Sequence, residues 1–378
     1  MKDILIATCG TSILTNAREI KNEIIGNKNY NEMTEEEAEK LKKRVLEDLR
    51  NRDVFDKKCG AELNSTYYIM EKGNFSGNYI YLIVSDSIEG KTSGEIIEIL
   101  LKEKLNIKNV EIRVIEKLNI TKEYEFAKKG LRNLASDVAF LVKKNGYNNI
   151  MISPIGGLKA QIFTVGLIAQ IFKIPAYYLY ENSTTVVELL PLPISLDMNF
   201  FQNNIGIISK LYKEEMVSKK EIKSYLYNNS DLRNVLEEEH IDGEDFVALS
   251  ALGVIAYEKL ISDTSSNIPR DATKEEKKED IQYKKNEAHA EQLRNNSECK
   301  RFLETLNSIP YIKKIIINYF NPDNKGDIIR ITKSSSNEGK VLQFEFNHKL
   351  GMLGGMIFLT ENEETKLDAS IIDIYQKL

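Results

Sequence analysis

Histidine is scarce in this chain: His240, His289 and His348 are all there is in 378 residues. A histidine-based metal centre or triad has few places to form. Cysteine is equally rare, at Cys9, Cys59 and Cys299. The three lie far apart and form no CxxC pair. That speaks against a zinc ribbon and a disulfide framework, and it agrees with a reducing cytoplasm. No apolar run approaches membrane-spanning length. Met1-Lys2-Asp3 leads directly into an apolar strand with no signal peptide before it, so a cytoplasmic protein with no membrane partner is expected. Positive charge is not in excess either. A net charge of -5 argues against a surface coated for nonspecific nucleic-acid binding, though not against a local basic patch.

What the chain does have is alternation. Short apolar runs near 3–8, 79–84, 110–115 and 149–153 are separated by helical stretches near 34–50, 91–104, 122–144 and 158–172. Strands spaced by helices of this length need crossovers, which predicts an α/β fold around a Rossmann-like parallel sheet. Ala176 to Tyr180 and Thr185 to Leu190, around Glu181-Asn182-Ser183, predict a closing hairpin. Pro191-Leu192-Pro193 punctuates the end of this region, placed at 1–197.

Three of these strands end in turns of small and hydroxyl-bearing residues. The most informative is Ser153-Pro154-Ile155-Gly156-Gly157-Leu158-Lys159, between a strand and a helix. Paired glycines allow close backbone approach, and a helix start offers free N–H groups to an anion such as phosphate. A helix start with a packing glycine would carry the same letters. The first strand ends in Thr8-Cys9-Gly10-Thr11-Ser12. The run 79–84 ends in Ser85-Asp86-Ser87, with Glu89-Gly90 beyond. In an open parallel sheet such strand ends share one edge, where ligands bind.

Downstream the character changes. Residues 198–262 carry three helical stretches: Asn204 to Tyr212, Ile222 to Tyr227 behind a capping box at Ser218-Lys219-Lys220-Glu221, and a third after Leu249-Ser250. The cadence resembles a winged helix, here expected as a connector or dimerisation module, since Glu237-Glu238-Glu239 would repel phosphates. Residues 263–285 read as an exposed, charged linker. Residues 286–378 predict an α+β tail: helices at Ala288 to Asn295 and Glu298 to Leu306, an antiparallel meander, and a closing helix from Thr365 to Leu378.

With the three turns in hand, the first half resembles the CRISPR-associated Rossmann-fold (CARF) sensor family. The matching pieces are Thr8 to Ser12 with Leu14-Thr15-Asn16, Ser85-Asp86-Ser87 with Glu89-Gly90, Pro154 to Lys159, and the hairpin through Pro191-Leu192-Pro193. The resemblance implies a homodimer whose pockets join across a twofold axis and share a cyclic oligoadenylate, most often the tetra-adenylate ring. It implies a ligand-contacting set of Thr8, Gly10, Thr11, Ser12, Asn16, Ser85, Asp86, Ser87, Gly156, Gly157, Leu158 and Lys159. Some members also cleave the ring, and there Ser12 and Lys159 would matter. No cofactor or metal is implied. Members usually carry an effector that the ligand switches on.

The tail resembles RelE-like ribonuclease toxins in architecture, without a diagnostic motif. That resemblance implies metal-free attack of an RNA 2′-hydroxyl on the neighbouring phosphate, with messenger RNA on the ribosome as the partner. Candidate catalytic residues are Arg330, Lys333, His289, Arg294, Lys340, His348 and Tyr319. Arg330 stands among Ile328-Ile329 and Ile331. His348, in an expected hairpin turn, and His289, at an expected helix start, read as surface residues. Three other readings compete. Arg233 to His240 has the spacing of a HEPN-type ribonuclease signature, on a poor acidic background. Asp327 with Glu338-Gly339-Lys340 has the letters of a magnesium-dependent nuclease, but Glu338 falls in a polar turn. A ligand-responsive transcription regulator would act through 198–262. The expected protein is a cyclic oligoadenylate-activated ribonuclease of type III CRISPR antiviral defence.

Overall fold

In the computed structural model the alternation becomes a sheet wrapped by helices. The structure describes all residues except 120–124, 181–183, 194, 229, 278–280, 284–295, 327–328 and 350. The described chain divides into two compact units. One holds Met1–Leu196 with Arg233–Glu237 and Leu249–Glu258; the other holds Asp197–Leu232, Glu238–Ala248 and Lys259–Leu378.

The first unit begins with β1 (Lys2–Thr8), α1 (Ser12–Asn16), α2 (Arg18–Ile25), α3 (Glu35–Arg50) and α4 (Ala61–Glu71). It continues through β2 (Phe75–Ser85), α5 (Ile88–Leu105), β3 (Asn109–Ile115), α6 (Leu131–Asn145) and β4 (Ile150–Ser153). α7 (Lys159–Ile171), β5 (Ala176–Leu179) and β6 (Val186–Leu189) complete it. The sheet order is β3-β2-β1-β4-β5-β6. β1 pairs in parallel with both β2 and β4, and only β6 runs antiparallel, against β5. Leu5–Thr8, Ile80–Val84 and Ile150–Ser153 are buried, because helices cover both faces of these central strands. This is why they read as unbroken apolar runs. The chain order reverses between β1 and β4, so the ends of β1, β2 and β4 stand side by side at the switch point of a Rossmann-like sheet.

The expected strands and the two arms of the hairpin coincide with observed ones, several of them to within one residue at an end; the turn Glu181-Asn182-Ser183 lies outside the described residues. Three observed helices, α1, α2 and α4, were not among those expected. In α4, Glu62, Asn64, Ser65 and Thr66 are buried beside Leu63 and Ile69, so polar residues interrupt the apolar period of its inward face. Local bonds serve three of the polar residues: Ser65 Oγ and Thr66 Oγ1 donate to the Glu62 carbonyl at 3.1 and 2.8 Å, and Asn64 Nδ2 donates to the Val54 carbonyl at 2.7 Å.

After the hairpin come α8 (Met198–Asn203), α9 (Ile205–Glu214), β7 (Val217–Ser218), α10 (Lys223–Asn228), β8 (Leu236–Ile241), β9 (Glu244–Leu249) and α11 (Ala251–Thr264). The expected helices are present. So is a small sheet, β7-β9-β8, that the helical cadence did not announce. Asp242 and Gly243, at φ 51° and 83°, turn the β8–β9 hairpin; two successive left-handed residues suit the twist of the flanking strands.

The tail sheet follows the order β10-β11-β14-β13-β12. Its strands are β10 (Gln282–Tyr283), β11 (Ile312–Asn321), β12 (Ile329–Ser336), β13 (Gly339–His348) and β14 (Gly351–Leu359), with α12 (Ser297–Ser308) and α13 (Glu364–Lys377) as its helices. Pairing is antiparallel except between β10 and β11. One face packs on α12, whose Phe302 stacks on Phe346 with ring centroids 4.5 Å apart. Tyr375 of α13 blunts the β12 edge: its hydroxyl donates to the Ile329 carbonyl at 3.0 Å and accepts the Ile331 N–H at 2.9 Å. This guards against edge-to-edge pairing. The stretch 263–285 departs from the exposed linker expected. The Ala272 N–H donates to the Pro310 carbonyl at 2.9 Å, Thr360 Oγ1 donates to the Arg270 carbonyl at 2.6 Å, and β10 joins the sheet. The expected helix Ala288 to Asn295 lies outside the described residues.

Candidate functional site

The three turns meet. A cleft of about 450 Å³ is lined by Gly10, Thr11, Ser12, Thr15 and Asn16 after β1, by Ser85, Ser87 and Glu89 after β2, and by Ile155, Gly156, Gly157, Leu158 and Gln161 after β4. Two long helices, α5 and α7, begin at its rim, and their N-termini bring free N–H groups and positive dipole ends. Among the described residues no lysine or arginine lines it. The cleft offers backbone amides and hydroxyls, which suits a weakly charged phosphodiester and ribose better than a dense polyanion.

The glycines let the turns touch each other. A Cβ on Gly10 would lie 2.5 Å from the Gly157 nitrogen, and one on Gly156 would lie 1.9 Å from Glu62 Oε1 and 2.5 Å from the Gly10 nitrogen. Gly157 sits at φ 101°, a left-handed conformation that favours glycine. The Gly156 N–H donates to the Thr8 carbonyl at 3.2 Å, tying the β4 turn to β1. Beneath them lies Glu62, 3% exposed, whose Oε1 accepts the Gly10 N–H at 2.7 Å. Burial raises the Glu62 carboxyl above the ordinary carboxylate range. Burial, and then the Glu62 charge, push the Cys9 thiol well up, so Cys9 is no ready nucleophile. Nothing in the sequence singled out Glu62; a glutamate in a helix's first turn usually faces water and the dipole.

Of the ligand set implied by resemblance, Gly10, Thr11, Ser12, Asn16, Ser85, Ser87, Gly156, Gly157 and Leu158 line this cleft. Ser87 also caps α5, its Oγ accepting the Gly90 N–H at 3.1 Å and lying 2.9 Å from Ser85 Oγ. Asn16 Nδ2 donates to the Lys57 carbonyl at 3.1 Å. Three of the set stand elsewhere. Thr8 is fully buried. Asp86 turns away and accepts the Lys117 N–H at 2.8 Å. Lys159 is exposed at the start of α7 and does not line the cleft.

The tail candidates divide between the two sheet faces. Tyr319, Gly354, Glu345 and Arg330 stand in one row across four strands: Tyr319 pairs with Gly354, Gly354 with Glu345 and Glu345 with Arg330. Directly opposed residues share a face. The Tyr319 hydroxyl is 3.4 Å from Glu345 Oε1, and Arg330 Nη1 is 4.0 Å from Glu345 Oε2. Gly354 makes room for the ring, since a Cβ there would lie 2.3 Å from the Tyr319 Cζ. Burial and the Glu345 charge raise the Tyr319 hydroxyl's pKa. Arg330 is 66% exposed. Glu345 was not among the expected residues.

Lys333, Lys340 and His348 project to the opposite, helix-covered face. Lys333 and Lys340 both bind Glu364 of α13, at 2.5 and 2.8 Å. Together they hold that carboxyl down at about 2. His348, expected at the surface, is 6% exposed; it closes β13 and pairs its Nε2 with Glu298 of α12 at 2.5 Å. A chain end of a buried strand covered by a helix accounts for the difference. His289 and Arg294 lie outside the described residues, as does Asp327. Glu338 is paired with Lys314 at 2.6 Å in the β12–β13 hairpin. Arg233 falls in a 3₁₀ turn, Ser230–Val235, and His240 on β8, where its Nδ1 is 2.8 Å from Asp245 Oδ1. The HEPN reading required a helical setting that this segment does not have.

Fold and cleft together define a Rossmann-like α/β unit with a site at its switch point. Within it, residues 57–193 match the family model described as CRISPR-associated protein (Cas_APE2256), a stretch that runs from before α4 through β6. No curated protein matches the chain. Among solved structures, protein VC1899 from Vibrio cholerae is 8% identical, over 94% of this chain and 77% of that one, with a TM-score of 0.27. Can2 from Sulfobacillus thermosulfidooxidans, solved in complex with cyclic tetra-adenylate, is 8% identical over 72% and 68%, with a TM-score of 0.19. Both likenesses are too loose to bear on fold or function. Among the described residues, no helix is long and apolar enough to cross a membrane.

Proposed function

We propose that this chain is a ligand-switched ribonuclease of type III CRISPR defence. It binds a cyclic oligoadenylate in the first unit's cleft as a homodimer, and it then cuts RNA with its tail. The observation that carries the ligand reading is the gathering of three glycine- and hydroxyl-rich turns around one cleft. Amides and hydroxyls of that kind suit phosphodiesters and ribose. The CRISPR-associated family match over 57–193 supports the same reading.

The Tyr319–Glu345–Arg330 row supports RNA cleavage. Glu345 takes the proton of an RNA 2′-hydroxyl, O2′ bonds to the neighbouring phosphorus, and the bond from phosphorus to O5′ breaks. Tyr319 supplies the proton that the leaving oxygen needs, and its raised pKa keeps that proton in place. Arg330 stabilises the charge that builds on the phosphoryl oxygens. The products are a 2′,3′-cyclic phosphate and a 5′-hydroxyl. The RelE-like assignment and the ribosome as partner belong to this proposal.

The test is to incubate the pure protein with rings of different size, with and without ribosomes, and to map the RNA ends. Cleavage that needs a ring, persists in EDTA and disappears in Glu345→Gln is expected. Ring binding without any RNA cleavage would remove the effector half. Absence of ring binding would remove the sensor half.

A further inference from the structure

We propose that Glu62 takes up a proton when the cleft fills, so that ligand affinity is linked to pH through this one carboxyl. The inference rests on the anion-binding reading above and adds a specificity-determining residue to it. Glu62 lies in the first turn of α4, a helix that buries Asn64, Ser65 and Thr66 beside Leu63 and Ile69. Its Oε1 is committed to the Gly10 N–H, 2.7 Å away. Gly156 is packed so tightly on the same oxygen that no side chain would fit between them. The carboxyl thus lies directly under two of the turns that form the cleft floor. Its other oxygen, Oε2, is buried and has no hydrogen-bond partner.

An ionised carboxylate only accepts hydrogen bonds, and in a buried setting it needs a partner for each oxygen or a nearby cation. Glu62 has neither. From the β1 turn the titratable group acting on it is the Cys9 thiol, which, with the amides of Gly10 and of Glu62 itself, favours the ionised form, while burial acts more strongly in the other direction. At Oε2 the neighbour is Gly60, whose Cβ would lie 3.3 Å away; the atoms around that glycine come from Ile97 of α5 and Ile13 of α1, both apolar. The β4 turn brings Gly156 and no charge. Among the described residues, the one other carboxylate at the cleft is Glu89, on the α5 side.

A phosphodiester seated over Gly10 and Gly156 adds a negative charge above this buried one. Like charges disfavour ionisation, so the bound ligand holds the proton on Glu62 more tightly than the free cleft does. The sign follows. The carboxyl's pKa is higher in the complex than in the free protein. Affinity is therefore full below the free-protein value, falls up to tenfold per pH unit between the two values, and levels off above the complex's value. Between them each binding event takes up as much as one proton.

The experiment is titration calorimetry with cyclic tetra-adenylate and cyclic hexa-adenylate, at steps from pH 5 to 9, in buffers of different ionisation enthalpy. Proton uptake is expected in the parent protein, together with an affinity that falls as pH rises. Both should vanish in Glu62→Gln. Binding with no proton uptake at any pH overturns the proposal, and it does so in the parent protein even if a variant fails to fold. Uptake that disappears in Glu89→Gln, or survives in Glu62→Gln, overturns it as well. If neither ring binds at any pH, it is the ligand assignment that falls.

Discussion

Gly156→Ala is the sharpest perturbation of the cleft. The added methyl would sit 1.9 Å from Glu62 Oε1, 2.5 Å from the Gly10 nitrogen and 2.8 Å from the Thr8 carbonyl oxygen. Two of those atoms are backbone, so no side-chain rotation relieves the clash. The turn must move, and the Gly156 N–H bond to Thr8 and the Gly10 N–H bond to Glu62 weaken with it. Overpacking costs about 1–3 kcal/mol, and weakening a hydrogen bond to a buried acid adds about 1 kcal/mol or more. A total near 3 kcal/mol, in a unit of about 200 residues, lowers Tm by about 6–12 °C. Gly166→Ala is the matched control. Gly166 lies within α7 with nothing near its Cβ position, so that change should stabilise by about 0.4–1 kcal/mol. Thermal unfolding followed by circular dichroism measures both. A Gly156→Ala protein melting within about 2 °C of its parent would refute the packing argument.

Other outcomes follow from the same geometry. Lys159→Ala should weaken ring binding by less than about tenfold, about 1.4 kcal/mol, because the side chain does not line the cleft; calorimetry showing a complete loss would return Lys159 to the site. Tyr375→Phe removes the hydroxyl that serves both Ile329 and Ile331, and should cost about 1–3 kcal/mol of tail stability in urea unfolding; an unchanged midpoint would show that other groups guard that edge. Glu364 is held at about 2 by its bonds to Lys333 and Lys340. Its pairing should be intact above the ordinary value of 4.5 and lost as pH falls through about 2. A carboxyl NMR titration with a midpoint at 4 or above would contradict this.

The central strands were legible because parallel strands buried on both faces must be apolar along their whole length. The turns were legible because close approach demands glycine. Glu62 was not, since polar residues interrupt the apolar period of the inward face of α4, and a first-turn glutamate looks solvated. The tail row was half legible. Alternation alone puts Arg330 and Lys333 on opposite faces of a strand, three residues apart. What sequence could not supply was register: Tyr319 reaches the row only because β11 slips at a bulge between Ile317 and Tyr319. His348 was misplaced for a related reason, as the covering helix α12 is distant in the chain.

Gly354 contributes no side chain, yet it decides which ring can lie across the tail sheet. A homologue with alanine at that position would have to surrender the tyrosine at 319 or bend its strand. Within any alignment the two positions should therefore change as a couple, and a lineage that loses the glycine should lose the aromatic residue with it.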